Sequence, residues 1–236
     1  MKKYKLTTET LQFAGRTLHR IKAVKDFDSI KAGEFGGWIE NEKNLSQDDN
    51  AWIYGDAMVF DNAEVYDNAK VYGNANVSGN ANVSGNAKVY GNANVFGYAK
   101  VFGYAEVYGN ANVFGYAEVY GNANVSDYAN VSGNANVSDY AEVSDYAKVY
   151  GNAAIKGDAK VHDAVDYIVF KNFWSSGRYF TWTSSNNKWS VGCFYGTGEE
   201  LIKKAYADSE KSGREYERVV RYVESILADE KKEKSN

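Results

Sequence analysis

The sequence predicts a mainly β protein: a parallel β-helix of about six triangular coils, with a β-rich cap before it and a small α+β domain after it. Three observations carry this. Alanine occupies every sixth position from Ala51 to Ala159, nineteen times without a miss. Valine or isoleucine follows two residues after each alanine, from Ile53 to Val161, again nineteen times. Between one such pair and the next stand Gly or Asp, then Asn, Tyr or Asp, as in Val71-Tyr72-Gly73-Asn74-Ala75-Asn76. These residue types tolerate positive φ and turn the chain.

The N-terminal region, residues 1–50, reads as a cap. A solenoid leaves an open sheet edge at each end, and such edges invite aggregation unless covered. Alternating stretches such as Tyr4-Lys5-Leu6 and Ile21-Lys22-Ala23-Val24 lead to Gly36-Gly37-Trp38-Ile39, Leu45-Ser46 and Trp52-Ile53. Ile39 and Leu45 fall on the six-residue phase of the alanines, so the expectation is a coil that starts early, with larger residues plugging its mouth.

Residues 51–162 form the repeat. Strand alternation over Ala-x-Val-x sends Ala and Val to one face and their neighbours to the other. Corners that always bend the same way close the chain into a tube. Three hexapeptides make one triangular coil, so residues eighteen apart stack. The repeat gives a rod of roughly 30 Å at the usual strand spacing. A helix is excluded, because Gly in most units and Val at every sixth place match no 3.6-residue period.

Residues 163–236 change character. Tyr167–Phe170, Arg178–Thr183 and Trp189–Phe194 read as three strands, with Ser184-Ser185-Asn186-Asn187 as a hairpin loop. Thr197 followed by Glu200 is a capping-box signature for a helix through about Ala207. A second helix is expected after Gly213, with Tyr216, Val219, Val220, Val223, Ile226 and Leu227 on one stripe.

The Val71/Ala75 pair, an aliphatic residue followed four positions later by a small one, recurs through the repeat and resembles the hexapeptide-repeat family. That resemblance implies a left-handed β-helix. The Gly-Gly-Trp-Ile and Asn44-Leu45-Ser46 segments, with the hexapeptides behind them, resemble uncharacterised bacterial and prophage hexapeptide proteins, some of which carry a transferase label. The resemblance implies a phage or mobile-element origin and supplies no catalytic residue. Acyltransferases of the family use a histidine as general base near a loop that interrupts the coils, and they imply a homo-oligomer, a trimer in the first instance. This chain has two histidines, His19 and His162, and its repeat has no interrupting loop. His162 is therefore a weak catalytic candidate, since a general base also needs an orienting partner.

Charge and composition narrow the classes further. The repeat carries six basic and eleven acidic residues, so no basic stripe exists to neutralise phosphates, which argues against a nucleic-acid partner. One cysteine, Cys193, permits no internal disulfide; its apolar strand suggests a buried thiol. No apolar run is long enough to span a membrane, and the start lacks the apolar core of a signal peptide. A soluble, cytoplasmic protein is the expectation. No metal-ligand spacing appears, and no cofactor is implied.

Stacking at eighteen residues converts sequence into surface columns. One runs Tyr54, Tyr72, Tyr90, Tyr108, Ser126, Ser144, His162. Ladders of identical side chains support each other along parallel strands, so they can exist for stability alone. They can also mark a binding or self-association face for a protein or a planar small molecule. Trp174, Trp182 and Trp189 are recognition candidates in the C-terminal domain, with core packing the plainer account of at least two. The leading expectation is a non-catalytic repeat scaffold presenting aromatic ladders. A sponge for a small signalling nucleotide and an acyltransferase-like trimer are the alternatives.

Overall fold

A computed structural model describes residues 2–233. The chain divides between Ala164 and Val165 into two compact units.

The first unit is a β-solenoid of about seven parallel turns. Every hexapeptide contributes a two-residue rung, from Trp52–Ile53 to Lys160–Val161. Rungs pair in parallel with those eighteen residues away, as in Lys88 with Glu106 and Val89 with Val107. All nineteen alanines and all nineteen Val/Ile residues of the pattern are 0% exposed. The inward alternation read from the sequence therefore holds along the whole repeat.

The corners explain the Gly/Asp alternation. Gly91 sits at φ 71°, and a Cβ there would lie 2.9 Å from the carbonyl oxygen of Gly109 in the next coil. Asp61 and Asp67 hold φ of 58° and 59° at equivalent corners. Their carboxylates accept the N–H of Gly79 at 3.1 Å and of Gly85 at 3.0 Å. Where the corner is not glycine, its side chain thus offsets the left-handed backbone by bonding the next coil. Gly91→Ala is expected to cost about 2 kcal/mol from left-handed strain and backbone crowding. Gly91→Asp is expected to cost about 1 kcal/mol less, because its carboxylate gains a backbone N–H; paired denaturant melts check the order.

The cap is built from β1 (Tyr4–Phe13), β2 (Arg16–Ala23) and β3 (Phe35–Ile39). β1 and β2 pair antiparallel, as do β2 and β3, and β3 joins the rung Met58–Val59 in parallel. The solenoid does start early, but with a different phase from that expected. Ile39 pairs with Val59 and Leu45 with Val65, twenty residues on. The two extra residues lie between Leu45 and Ile53, so Ile39 and Leu45 occupy the valine column, not the alanine column. Gly36 and Gly37 are needed at this junction, since a Cβ on either would lie 2.5–2.7 Å from Ile53, Trp52, Ile21 or Ala57.

Polar plugs close the mouth. Lys3, 1% exposed, donates from Nζ to the carbonyls of Asp49 at 2.9 Å and Ala51 at 2.8 Å. Tyr4 Oη donates to Leu45 O at 2.7 Å, and Asn44 Nδ2 donates to Ala63 O at 2.9 Å. These side chains satisfy first-coil carbonyls that have no earlier coil to bond.

The second unit has four antiparallel strands, not three: Tyr167–Lys171, Tyr179–Thr183, Lys188–Val191 and Phe194–Gly196. Gly192, at φ 58°, breaks the expected Trp189–Phe194 strand into a tight hairpin. That turn carries Cys193 to its tip, so the thiol is exposed and not buried. Helix α1 (Gly198–Asp208) begins with the expected capping box of Thr197 and Glu200. Helix α2 (Glu210–Glu233) starts before Gly213. Gly213 sits inside it because any Cβ would overlap the ring of Tyr206. Phe180, Trp182, Trp189, Leu201, Val220 and Val223 centre the core between sheet and helices. No helix among the described residues is long and apolar enough to cross a membrane.

Candidate functional site

On the solenoid, strand pairing brings Tyr54, Tyr72, Tyr90 and Tyr108 into one column. Tyr72 and Tyr90 stack at 4.7 Å and 4°, Tyr90 and Tyr108 at 5.0 Å and 6°. Tyr54 meets Tyr72 edge-on at 6.4 Å. Lys70 and Lys88 stand alongside, lining with Tyr54 and Tyr72 a shallow groove of about 390 Å³. The charges are already paired. Lys88 Nζ donates to Glu106 Oε1 at 2.8 Å, Tyr90 Oη donates to Glu106 Oε2 at 2.8 Å, and Lys70 meets Asp28 at 3.0 Å.

Electrostatics follow this geometry. Burial against neighbouring rings pushes the Tyr90 phenol up, and the Glu106 carboxylate pushes it further. Tyr72 moves in the same direction, chiefly by burial. Burial works against ionised Glu106, yet the bonds from Lys88 and Tyr90 hold its carboxyl below the usual range. Stacked rings hide their faces in one another, so a ligand would meet ring edges and hydroxyl tips here. Such a column braces adjacent coils better than it serves as a stacking platform.

The same column ends at His162. Its Nδ1 lies 2.7 Å from Ser144 Oγ and 3.2 Å from Asp145 Oδ2. Ser126, Ser138 and Ser144, expected on the outer surface, are buried. The difference tracks the corner: each precedes Asp-Tyr, whereas half-buried Ser78, Ser84 and Ser132 precede Gly-Asn. Among the described residues no three His, Cys, Asp or Glu side chains converge as metal ligands.

In the second unit the tryptophans separate. Trp182 is 3% exposed and its Nε1 donates to Asn187 Oδ1 at 2.9 Å, so of the two readings open for it, recognition and core packing, it takes the place in the core. Trp189 is also in the core. Trp174 is 66% exposed, beside Phe173 at 72%, in the loop that follows the first strand. The two rings meet edge-to-face at 6.0 Å.

That loop is held from below. Asn172 is buried, and its Oδ1 accepts the N–H groups of Trp174 at 2.9 Å and Ser175 at 3.1 Å. Its Nδ2 donates to Ser175 Oγ at 2.8 Å, and its backbone N–H donates to Arg178 O at 2.9 Å. An Asx turn of this kind fixes local backbone without a helix or strand. Lys171 Nζ lies over the rings of Phe173 at 5.1 Å and Tyr179 at 5.4 Å. No carboxylate lies within ion-pairing distance of Lys171 among the described residues.

Phe170, Phe173 and Trp174 face Val219, Arg218 and Tyr222 of α2 across a cleft of about 530 Å³. Arg218 is engaged by Glu215 at 2.8 Å. Sequence reasoning named Trp174 as a candidate and did not name its neighbours Lys171, Asn172, Phe173 and Tyr222. The available signal was Asn172-Phe173-Trp174-Ser175-Ser176-Gly177, a run of turn formers holding two aromatic residues between strands.

No protein-family model matches the chain. A stretch of 62 residues is 39% identical to "Uncharacterized acetyltransferase YdcK" of Escherichia coli (strain K12). The similarity covers 23% of this chain and 19% of that protein, so the chain spans about a fifth of the length of the curated relative it matches. The solenoid and this short likeness agree with a hexapeptide-repeat β-helix in outline.

Proposed function

We propose that the chain is a non-catalytic binding protein in which the solenoid is a rigid scaffold and the cleft beside Trp174 does the recognising. The observation that carries this is the Phe173–Trp174 pair, held in solvent by the buried amide of Asn172. Both large rings keep most of their surface open to solvent. Fixed aromatic anchors beside an arginine are the composition that concentrates binding energy.

The cleft chemistry indicates the ligand class. Its walls are mostly aromatic and aliphatic, Glu215 and Arg218 line it as an ion pair, and Lys171 supplies a further cation with no carboxylate within ion-pairing distance among the described residues. A planar aromatic group bearing negative charge suits both, and the class includes the small nucleotides of the sequestration alternative. The printed activity of YdcK concerns that protein. For this chain an acetyl-transfer reading would rest on His162, whose Nδ1 has Ser144 and Asp145 as orienting partners.

Fluorescence titration of the intact chain with anilinonaphthalene sulfonate, followed by calorimetry against a nucleotide panel, tests the proposal. Trp174→Ala is expected to weaken binding about tenfold, the scale of one lost anchor. Lys171→Gln is expected to weaken it a few-fold and to flatten its salt dependence. Unchanged binding in Trp174→Ala would overturn the assignment. So would acetyl transfer that disappears in His162→Ala.

A further inference from the structure

The three faces of the solenoid differ in charge. The face of the tyrosine column carries Lys70, Lys88, Glu106, Glu142 and Lys160, and the face that includes Asn82 carries Glu64, Lys100 and Glu118. The remaining face bears Asn76, Asn94, Asn112 and Asn130 in one column, which ends at Lys148, and Ser78, Phe96, Phe114 and Ser132 in the next. Over the coils 73–80, 91–98 and 109–116, that face and both its corners contain no ionisable acid or base other than Tyr98 and Tyr116.

Its polar groups are largely satisfied among themselves. Asn76 Nδ2 donates to Asn94 Oδ1 at 3.2 Å, and Asn94 Nδ2 to Asn112 Oδ1 at 3.2 Å. A parallel corner ladder runs from Asn74 to Asn92 at 3.1 Å and from Asn92 to Asn110 at 3.3 Å. Phe96 and Phe114 stack at 4.9 Å, as do Tyr98 and Tyr116. Phe96, Tyr98 and Tyr116 are exposed. Amides already bonded along the rod lose little when water is removed from them, and the neighbouring rings gain by it.

We infer that this uncharged face is a self-association surface and that its occupant is a second copy of the same face. The other two faces carry mixed charge on a net acidic repeat, so copies meeting there need a register that sets Lys against Glu and avoids like charges. Only on the asparagine–phenylalanine face does that constraint vanish over three successive coils. Both copies present flat ladders with the same coil spacing, so they are complementary under a two-fold axis. Three coils span about 15 Å, which places the contact at the small, weak end of protein interfaces.

The test is sedimentation of the intact chain over a concentration series reaching the high micromolar range. Asn94→Lys combined with Asn112→Lys places like charges at the contact. Lysine already fills the same slot of the hexapeptide at Lys70, Lys88 and Lys100, so the fold accommodates it. Asn82→Lys combined with Asn136→Lys adds equal charge on another face and is the control. The expected result is a concentration-dependent dimer in the parent and the control, with association weakened at least tenfold in Asn94→Lys/Asn112→Lys. A parent that stays monomeric throughout overturns the inference. So does association of any order that survives the face substitutions, or that falls equally in the control.

Discussion

Val107→Asp is expected to destabilise the solenoid by about 4 kcal/mol or more, or to prevent its folding. Val107 is 0% exposed, and the rungs on either side place Val89 and Val125 against it. The inward residues around it are alanines and valines, so a carboxylate there has neither a cation nor a donor side chain. Removing the charge by protonation still leaves a polar group without water. The comparison is Ser84→Asp, a half-buried residue on the outward phase. That change should alter stability by no more than about 1 kcal/mol. Thermal and urea melts of the two variants against the parent check the contrast.

The second large effect lies at the mouth of the solenoid. Lys3→Met removes the donors to Asp49 O and Ala51 O and leaves two buried carbonyls unbonded, which should cost about 2–3 kcal/mol near neutral pH. The pH dependence gives a sharper signature. Burial pushes the Lys3 ammonium from 10.5 down to about 8, against the opposing pull of Asp49. Between those values the unfolded chain binds the proton more tightly than the folded one, so unfolding takes up protons and stability rises with pH. Below about 8 the burial penalty is fully present. Above about 10.5 it is relieved, while the neutral amine still donates. Tyrosine ionisation in the unfolded chain affects parent and variant alike. The stability gap between the parent and Lys3→Met should therefore widen by about 2 kcal/mol or more from pH 8 to pH 10.5. A gap that stays constant over this window contradicts the capping role.

Much of the fold was legible because the repeat states each instruction nineteen times. The six-residue period fixes which side chains face inward, and the small interior leaves room for little besides Ala and Val. Single-copy features were harder to read. The phase of Ile39 and Leu45 shifted because the loop after Leu45 absorbs two extra residues, and nothing repeats to reveal it. The break at Gly192 turned one expected strand into two and exposed Cys193. Gly213 read as a boundary, yet its lack of a side chain serves the close approach of two helices. Trp182 and Trp174 look alike in sequence; which one is buried depends on how the sheet meets α2. The candidate cleft was largely invisible for the same reason, since Tyr222 and Arg218 reach Trp174 only through tertiary packing.

Thiol labelling of adjacent positions in the repeat tests the inward–outward assignment on which the surface columns, the proposed self-association face and the scaffold role all rest. Cys193 sits exposed at a hairpin tip, so Cys193→Ser supplies a background free of other thiols. In that background, Lys100→Cys should react with a thiol reagent as fast as an unfolded control. Val101→Cys, one residue along, should stay protected until the protein unfolds, because Val101 is 0% exposed. Equal reactivity at the two positions in the folded protein would contradict the account.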